Sequence, residues 1–269
     1  MIKKCSIFII AITILFSLNV KANFIVNSSL TQEFKVEDQK VVSGNIVVQN
    51  LSNKETKVKL YKRDYTFNAK GKNYYYKPGK IERSNANWIK LAQQRITLEP
   101  QQKKSLEYKI VIPQKAVRKG TYWSMLMVEK IPNQRKNLEN LKEIKVRQSI
   151  RYGVQIITDF TGNQKINLSY QDSKLKKIKG SNYLFKVAIK NTGISDLKAR
   201  IKILLIARNS GEIIKEFKKD MHRIFPATSI NVTQQIKLKR KVPYQLVLLL
   251  GNEEDGYFGK KYLLEVSNN

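Results

Sequence analysis

The chain has 269 residues, 42% of them hydrophobic, with 51 Lys and Arg against 21 Asp and Glu and a formal net charge of +30. That hydrophobic share supports packed cores and excludes a wholly disordered chain, and the length allows one large domain or two ordinary ones. A single histidine, His222, and a single cysteine, Cys5, exclude disulfides and any histidine- or cysteine-rich metal site.

Residues 1–22 read as a secretory signal peptide. Lys3 and Lys4 precede an apolar run from Ile7 to Leu18, and Val20-Lys21-Ala22 sets small residues ahead of a cleavage point. The run is short for a membrane-spanning helix. Cys5 lies before it, where a lipid-attachment cysteine does not sit, so the mature chain is expected to have no cysteine and no thiol chemistry. Lys3, Lys4 and Lys21 leave with this segment and no acid does, so the remaining chain carries +27. Such a charge attracts polyanions. After export these are anionic lipid headgroups, acidic wall polymers or acidic proteins rather than nucleic acid, or else the charge reflects only a lysine-rich composition. No second long apolar run follows, and the expected location is the periplasm or cell envelope, in soluble form after cleavage.

In chain order, residues 24–36 alternate loosely (Phe24, Val26, Phe34, Val36) and predict one or two short strands. NIVVQN after Gly44 is a clearer strand ending at Asn50. Thr56 to Tyr65 alternates again, with Val58, Leu60 and the stem of Lys62 on one face. Asn68-Ala69-Lys70-Gly71 is a hairpin-type loop leading into Tyr74-Tyr75-Tyr76, which puts rings on both faces of a strand, and then a Pro78-Gly79 turn. From Trp88 short strands follow in close order: WIKL, RITL before Pro100, SLEYKIVI before Pro113, and YWSMLMVEKI before Pro132. Short strands at this spacing, each closed by Pro, Gly or Asn, predict an all-β sandwich. This unit is expected to span 23–162. Residues 163–269 repeat the theme. LFKVAIKN (Leu184–Asn191) echoes GNIVVQN (Gly44–Asn50), and ARIKILLIA, EIIKEF, SINVTQQIKL, YQLVLLL and KKYLLEV follow. That gives about seven strands, the size of an immunoglobulin-like domain. The expected fold is all-β, with two tandem immunoglobulin-like β-sandwich domains after the signal peptide.

The stretch around which the chain is organised is Lys142–Gln155. Ile144, Val146, Ile150, Tyr152 and Val154 share one parity, broken only by Gln148, and Lys145, Arg147, Ser149, Arg151 and Gln155 share the other. Such alternation predicts a half-buried strand with a cationic polar face. A strand of this kind either blunts a sheet edge with charge or offers that edge for pairing with another chain.

Enzyme chemistry has little to stand on. His222 in KKDMHRIFP has no nucleophile motif near it, and no glycine-rich phosphate loop is present. Glu253-Glu254-Asp255 are consecutive rather than alternating, which suits a hairpin tip better than a calcium loop. No cofactor, metal or catalytic residue is expected.

WIKLAQQRITLEPQQKKSLEYKI (Trp88–Ile110), YWSMLMVEKIP (Tyr122–Pro132) and EIKVRQSIRYGV (Glu143–Val154) resemble the corresponding strands of periplasmic pilus (fimbrial) chaperones. In that family the last strand of the first domain completes the unfinished sandwich of a pilin subunit, and a basic residue on it, with an arginine near the amino terminus, anchors the subunit's terminal carboxylate. The resemblance implies that Arg151 is the basic anchor and that Ile144, Val146 and Ile150 are the alternating apolar set, with Arg147 beside them. It implies a pilin-like or other secreted subunit as partner, and an usher-like outer-membrane protein as a second. The sequence departs from the family in having no arginine in its amino-terminal strand, where the first basic residue is Lys35, and in having Gly153 where the family has an aromatic run. KGTYWSMLMVE (Lys119–Glu129) and the tandem layout also resemble tandem immunoglobulin-like bacterial surface proteins that bind peptidoglycan or partner surface proteins. The expected function is therefore non-enzymatic and chaperone-like, binding secreted or pilus subunits by strand pairing. The alternative is a basic adhesive module that recognises acidic wall polymers, lipid or surface proteins.

Overall fold

A computed structural model of the chain describes residues 24–114, 119–132, 149–161, 165–239, 242–252 and 256–264. Among these residues there is no helix, and so none long and apolar enough to cross a membrane. The first sandwich is built from β1 (Phe24–Val26), β2 (Thr31–Val36), β3 (Val41–Asn50), β4 (Thr56–Phe67), β5 (Asn73–Tyr76), β6 (Ile89–Leu91), β7 (Arg95–Leu98), β8 (Lys103–Val111), β9 (Gly120–Lys130) and β10 (Arg151–Phe160). One sheet has the order β1-β3-β8-β6, and the facing sheet the order β2-β10-β9-β4-β5, with β7 also on β4. The second sandwich is built from β11 (Leu168–Lys179), β12 (Asn182–Asn191), β13 (Leu197–Ala207), β14 (Ile213–Ile224), β15 (Ser229–Lys237), β16 (Tyr244–Asn252) and β17 (Gly256–Leu264), in sheets β11-β12-β15 and β14-β13-β16-β17. The chain is all-β, with two immunoglobulin-like sandwiches, the second of seven strands.

Alternation decides which side chains enter each core. In β8, Leu106, Tyr108 and Ile110 point in and Glu107 and Lys109 point out. Their partners across the sandwich include Val154, Ile156 and Phe160 of β10, and Trp88 packs its ring 4.7 Å from that of Tyr122. Lys62 continues the inward parity of Val58 and Leu60 only by reaching its Nζ to the carbonyl of Ile89, 3.1 Å away. Burial, and after it the neighbouring Lys90 charge, lowers its pKa. The second core is separate, drawn from Phe185, Val187 and Ile189 of β12 and the inward sides of β13 and β16.

The echo between Asn50 and Asn191 has a structural cause. Both side chains are fully buried at the end of a strand and close the turn that follows. Asn50 Nδ2 donates to the carbonyls of Lys54, Leu98 and Glu99, and its Oδ1 accepts from the backbone N–H of Ser52 and the hydroxyl of Thr56. Asn191 Nδ2 donates to the carbonyls of Ser195 and Ile224, and its Oδ1 accepts from Gly193 N–H. In each sandwich one amide satisfies backbone groups that the turn removes from both ladder and water.

The two sandwiches meet through a small third cluster. Trp123 stacks on Phe225 at 4.6 Å and 8°, and Trp123 Nε1 donates to the carbonyl of Tyr65. Beside it Arg223 contacts Glu33 Oε1 at 2.9 Å and Asp196 Oδ2 at 2.8 Å, the latter a charge contact outside hydrogen-bond geometry. Burial holds the Asp196 carboxyl above the usual carboxylate range, against the pull of Arg223 and of a hydrogen bond from Thr121. Gly120, at φ 66°, passes so close to Ile194 that a β-carbon there would lie 2.1 Å from the Ile194 carbonyl oxygen.

The structure differs from the expectations above in two places. Residues 168–179 form a strand that alternation did not predict. Its register slips between Gln171 and Lys174, Asp172 has φ 50°, and as the outermost strand of its sheet it is largely exposed. β14 runs well past EIIKEF to Ile224, and His222 lies on it, exposed. Tyr74, Tyr75 and Tyr76 are all exposed on β5 at the end of its sheet. Ile144, Val146, Arg147 and the acids Glu253-Glu254-Asp255 lie outside the described residues, as does the signal segment.

Asn50→Ala and Asn191→Ala each leave several buried carbonyls without donors, and each is expected to cost about 2–4 kcal/mol. Urea unfolding followed by tryptophan fluorescence and by circular dichroism measures this. A cost below about 0.5 kcal/mol, as for an ordinary surface change, would remove the role assigned to these amides.

Candidate functional site: a basic basin on the outer face of the first sandwich

Strand β10 answers the question that its sequence raised. It pairs antiparallel with β9 along its whole length, Arg151↔Glu129 to Phe160↔Gly120, but parallel with β2 only from Gln155↔Thr31 to Phe160↔Val36. Among the described residues, Arg151–Val154 therefore have a strand partner on one side only. The closing contact is Gln155 N–H to the carbonyl of Leu30, at 2.8 Å. Among the described residues, the strand is a covered core strand at its carboxyl end and an open edge at its amino end.

Its even-numbered residues face the first core. Val154 is fully buried, and Tyr152 and Ile150 are partly buried and packed against that core, with the Tyr152 hydroxyl donating to the carbonyl of Phe24. Ile150 thus already packs within its own sandwich. The odd-numbered residues, Arg151, Gly153 and Gln155, lie on the outer face of the sheet. They continue a surface made by Met125, Met127 and Glu129 of β9 and by Lys59, Tyr61 and Arg63 of β4.

This face holds a basin of about 560 Å³ in which Lys59, Arg63, Arg95 and Arg151 surround one acid, Glu129. Glu129 organises it. Its Oε2 accepts from the Tyr61 hydroxyl at 2.7 Å and lies 3.4 Å from Lys59 Nζ, and its Oε1 lies 3.5 Å from Arg151. Burial alone would raise the Glu129 pKa. The Tyr61 hydrogen bond and the charges of Arg151 and Lys59 outweigh it and hold the carboxyl below the ordinary glutamate value. The Tyr61 hydroxyl is shifted up, by burial and then by Glu129. The Arg63 guanidinium stands over the Tyr61 ring, 5.3 Å from its centre, and has no acidic partner among the described residues.

The arrangement leaves Arg151 oriented yet available. Its side chain is 53% exposed while Glu129 is 13% exposed, so the pair is held from the glutamate's side. A cation fixed this way can take an incoming carboxylate without first being ordered. The basin has no nucleophile–base pair, and among the described residues no group of three or more His, Cys, Asp or Glu could hold a metal. Of the predicted site residues, Arg151 opens β10 on its outer face, and Ile150 directly precedes it and packs against the core. Sequence reasoning missed Glu129, Tyr61, Arg63 and the two methionines. The signal that marks the methionines is the run Tyr122–Val128, apolar but for Ser124, which alternation cannot explain and which belongs to a strand buried on both faces.

No family model matches the chain, and no curated protein does either. Many solved structures are similar to it, three fimbrial chaperone structures among them. The class 5 fimbriae chaperone CfaA is 16% identical, with 91% of this chain and 100% of that chain covered and a TM-score of 0.48. A chaperone–tip adhesin complex of CFA/I fimbriae is 14% identical, with 90% and 98% covered and a TM-score of 0.49. The Salmonella enterica SafA pilin–SafB chaperone complex is 10% identical, with 91% and 97% covered and a TM-score of 0.45.

Because the Glu129 pKa is lowered on folding, the stability its charge contributes is present above the unfolded pKa and is lost as pH falls through the folded one. The stability gap between wild type and Glu129→Gln should hold steady near neutrality and shrink between about pH 5 and about pH 3. Chemical unfolding at a series of pH values reads the gap. A gap that stays constant over that range would contradict the ionic role of Glu129.

Proposed function

We propose that the protein is a non-enzymatic, chaperone-like component of a bacterial cell envelope, exported by its leader, that holds a secreted, pilin-like subunit by strand pairing. The observation that carries this reading is the half-paired β10: the edge of Arg151–Val154 is open among the described residues, and the cation Arg151 stands at that opening. An extended segment laid along this edge would take main-chain hydrogen bonds from β10 and place a carboxylate on Arg151. The sequence likeness of Glu143–Val154 to the subunit-binding strand of pilus chaperones supports the same use. Ile144, Val146 and Arg147 then extend the pairing strand towards the amino end, Ile150 adds an apolar side chain, and an usher-like protein receives the subunit. The working unit is 23–162, with 163–269 as the second domain.

A second reading draws on the four cations of the basin and the +27 charge of the mature chain. On that reading the basic face grips acidic wall polymer or lipid headgroups, and binding spreads over many lysines. Salt separates the two, since exposed charge pairs are screened strongly at high ionic strength and backbone pairing is not.

Co-purification from the envelope fraction through a tag, washed at low and at high salt, is the direct test. Strand pairing expects one or a few small exported β-proteins to survive high salt with wild type and to be lost with Arg151→Glu. That variant faces Glu129 across the strand pair and should cost at most about 1 kcal/mol of stability. Anionic polymer that washes away with salt, with capture indifferent to Arg151→Glu, would favour the basic-surface reading and sink this one.

A further inference from the structure

Next to Arg151 the outer face contains a smaller hollow, of about 260 Å³, that a terminal charge does not fill. Its floor is Met125 and Met127, its walls are Tyr61 and Tyr75, and its rim is the guanidiniums of Arg63 and Arg151. The methionine side chains lie over residue 153, which is possible because that residue is a glycine. A β-carbon there would lie 2.7 Å from Met125 Cε and 3.4 Å from Met127 Sδ. Gly153 pairs with Met127, which pairs with Tyr61, so the hollow crosses three strands in register and opens at the free edge of β10.

A strand added to that edge sets one residue directly opposite Gly153, about 5 Å away between β-carbons in ordinary pairs. Opposite any other residue, that side chain would meet a neighbour. Opposite glycine it can lie across the strand, the arrangement by which aromatic rings cover glycines in sheets. Here the ring would land on two thioethers, which make favourable contacts with aromatic edges and adapt to irregular shapes. Arg63, already over the Tyr61 ring, adds a cation at the rim for which the described residues provide no acid. Met125 and Met127 are 9% and 7% exposed, apolar groups held on a face that otherwise carries charge.

We infer that the segment bound at β10 carries an aromatic side chain opposite Gly153, seated in the Met125–Met127 hollow, with an acidic group beside it on Arg63. This rests on the strand-pairing reading and specifies the chemistry of the segment recognised.

The test uses the full mature chain and two labelled peptides of alternating Val and Thr with one Glu. One peptide carries a central Phe, and the other has Ala in its place. Wild type is expected to bind the Phe peptide about tenfold or more tightly by fluorescence anisotropy. Gly153→Leu, at a backbone angle open to any residue, should erase the preference by filling the hollow. Arg63→Gln should weaken both peptides and leave the Phe-to-Ala ratio intact. A measurement on wild type alone stands beside the variants: the Phe peptide, and not the Ala peptide, should slow peroxide oxidation of Met125 and Met127 while the exposed Met221 oxidises at its own rate. Equal binding of the two peptides, a ratio that persists in Gly153→Leu, or methionines unprotected by the Phe peptide overturns the aromatic pocket and leaves strand pairing standing. If wild type binds neither peptide, strand pairing itself falls and the pocket with it.

Discussion

Strand β9 has to be in one register, because both of its faces are committed and to different tasks. Its even-numbered residues, Tyr122, Leu126 and Val128, fill the first core, with Ser124 bonded to the buried Asn85 among them. Its odd-numbered residues give Trp123 to the contact between the sandwiches and Met125, Met127 and Glu129 to the outer basin. A slip of one residue would exchange the two sets, sending Glu129 inward and the Tyr122 and Leu126 side chains out. Central strands with one wet face tolerate such errors better than this one can. The positions of β4 and β10, and so of Tyr61 and Arg151, follow from the ladder that β9 fixes.

That register also explains how a chain with so many cations builds a defined site rather than a diffuse charge. Most lysines stand on exposed faces, where pairs with acids contribute little. At the basin the same residue types are ordered by a single glutamate that is itself nearly buried and receives the Tyr61 hydroxyl. Glu129 gives Lys59 and Arg151 one shared partner, so fixing that side chain orders two cations at once.

Much of the fold was legible from period alone. Strands with one wet face, such as β8 and β12, announce themselves by alternation, and the Gly44–Asn50 and Leu184–Asn191 echo marks the same buried amide device in each sandwich. β11 was hidden because a bulge at Asp172 breaks its period and because an outer strand has little need of apolar residues. Arg151 could be placed on the polar side of its strand from parity. Its pairing with Glu129 could not, since the register between β9 and β10 depends on the whole sheet. The apolar parity of 144–154 was also easy to misjudge: hydrophobic alternation looks the same whether the side chains await a partner or pack at home, and Tyr152 and Val154 pack at home. Gly153 carried information only once Met125 and Met127 were seen beneath it.

The division of β10 into a closed half and an open half ties these points together. From Gln155 onward the strand is clasped between β9 and β2, and its even side chains are sunk in the core, so the direction and pleat of the backbone are set there. Those constraints propagate back along an extended chain, because successive residues must alternate faces. Arg151 and Gly153 are therefore presented outward, and Tyr152 and Val154 inward, before anything binds. An edge that has to be ordered on binding loses affinity to conformational entropy, whereas one held in register by its own continuation does not. Among the described residues, the open half of the strand is held in place because the other half is paired on both sides.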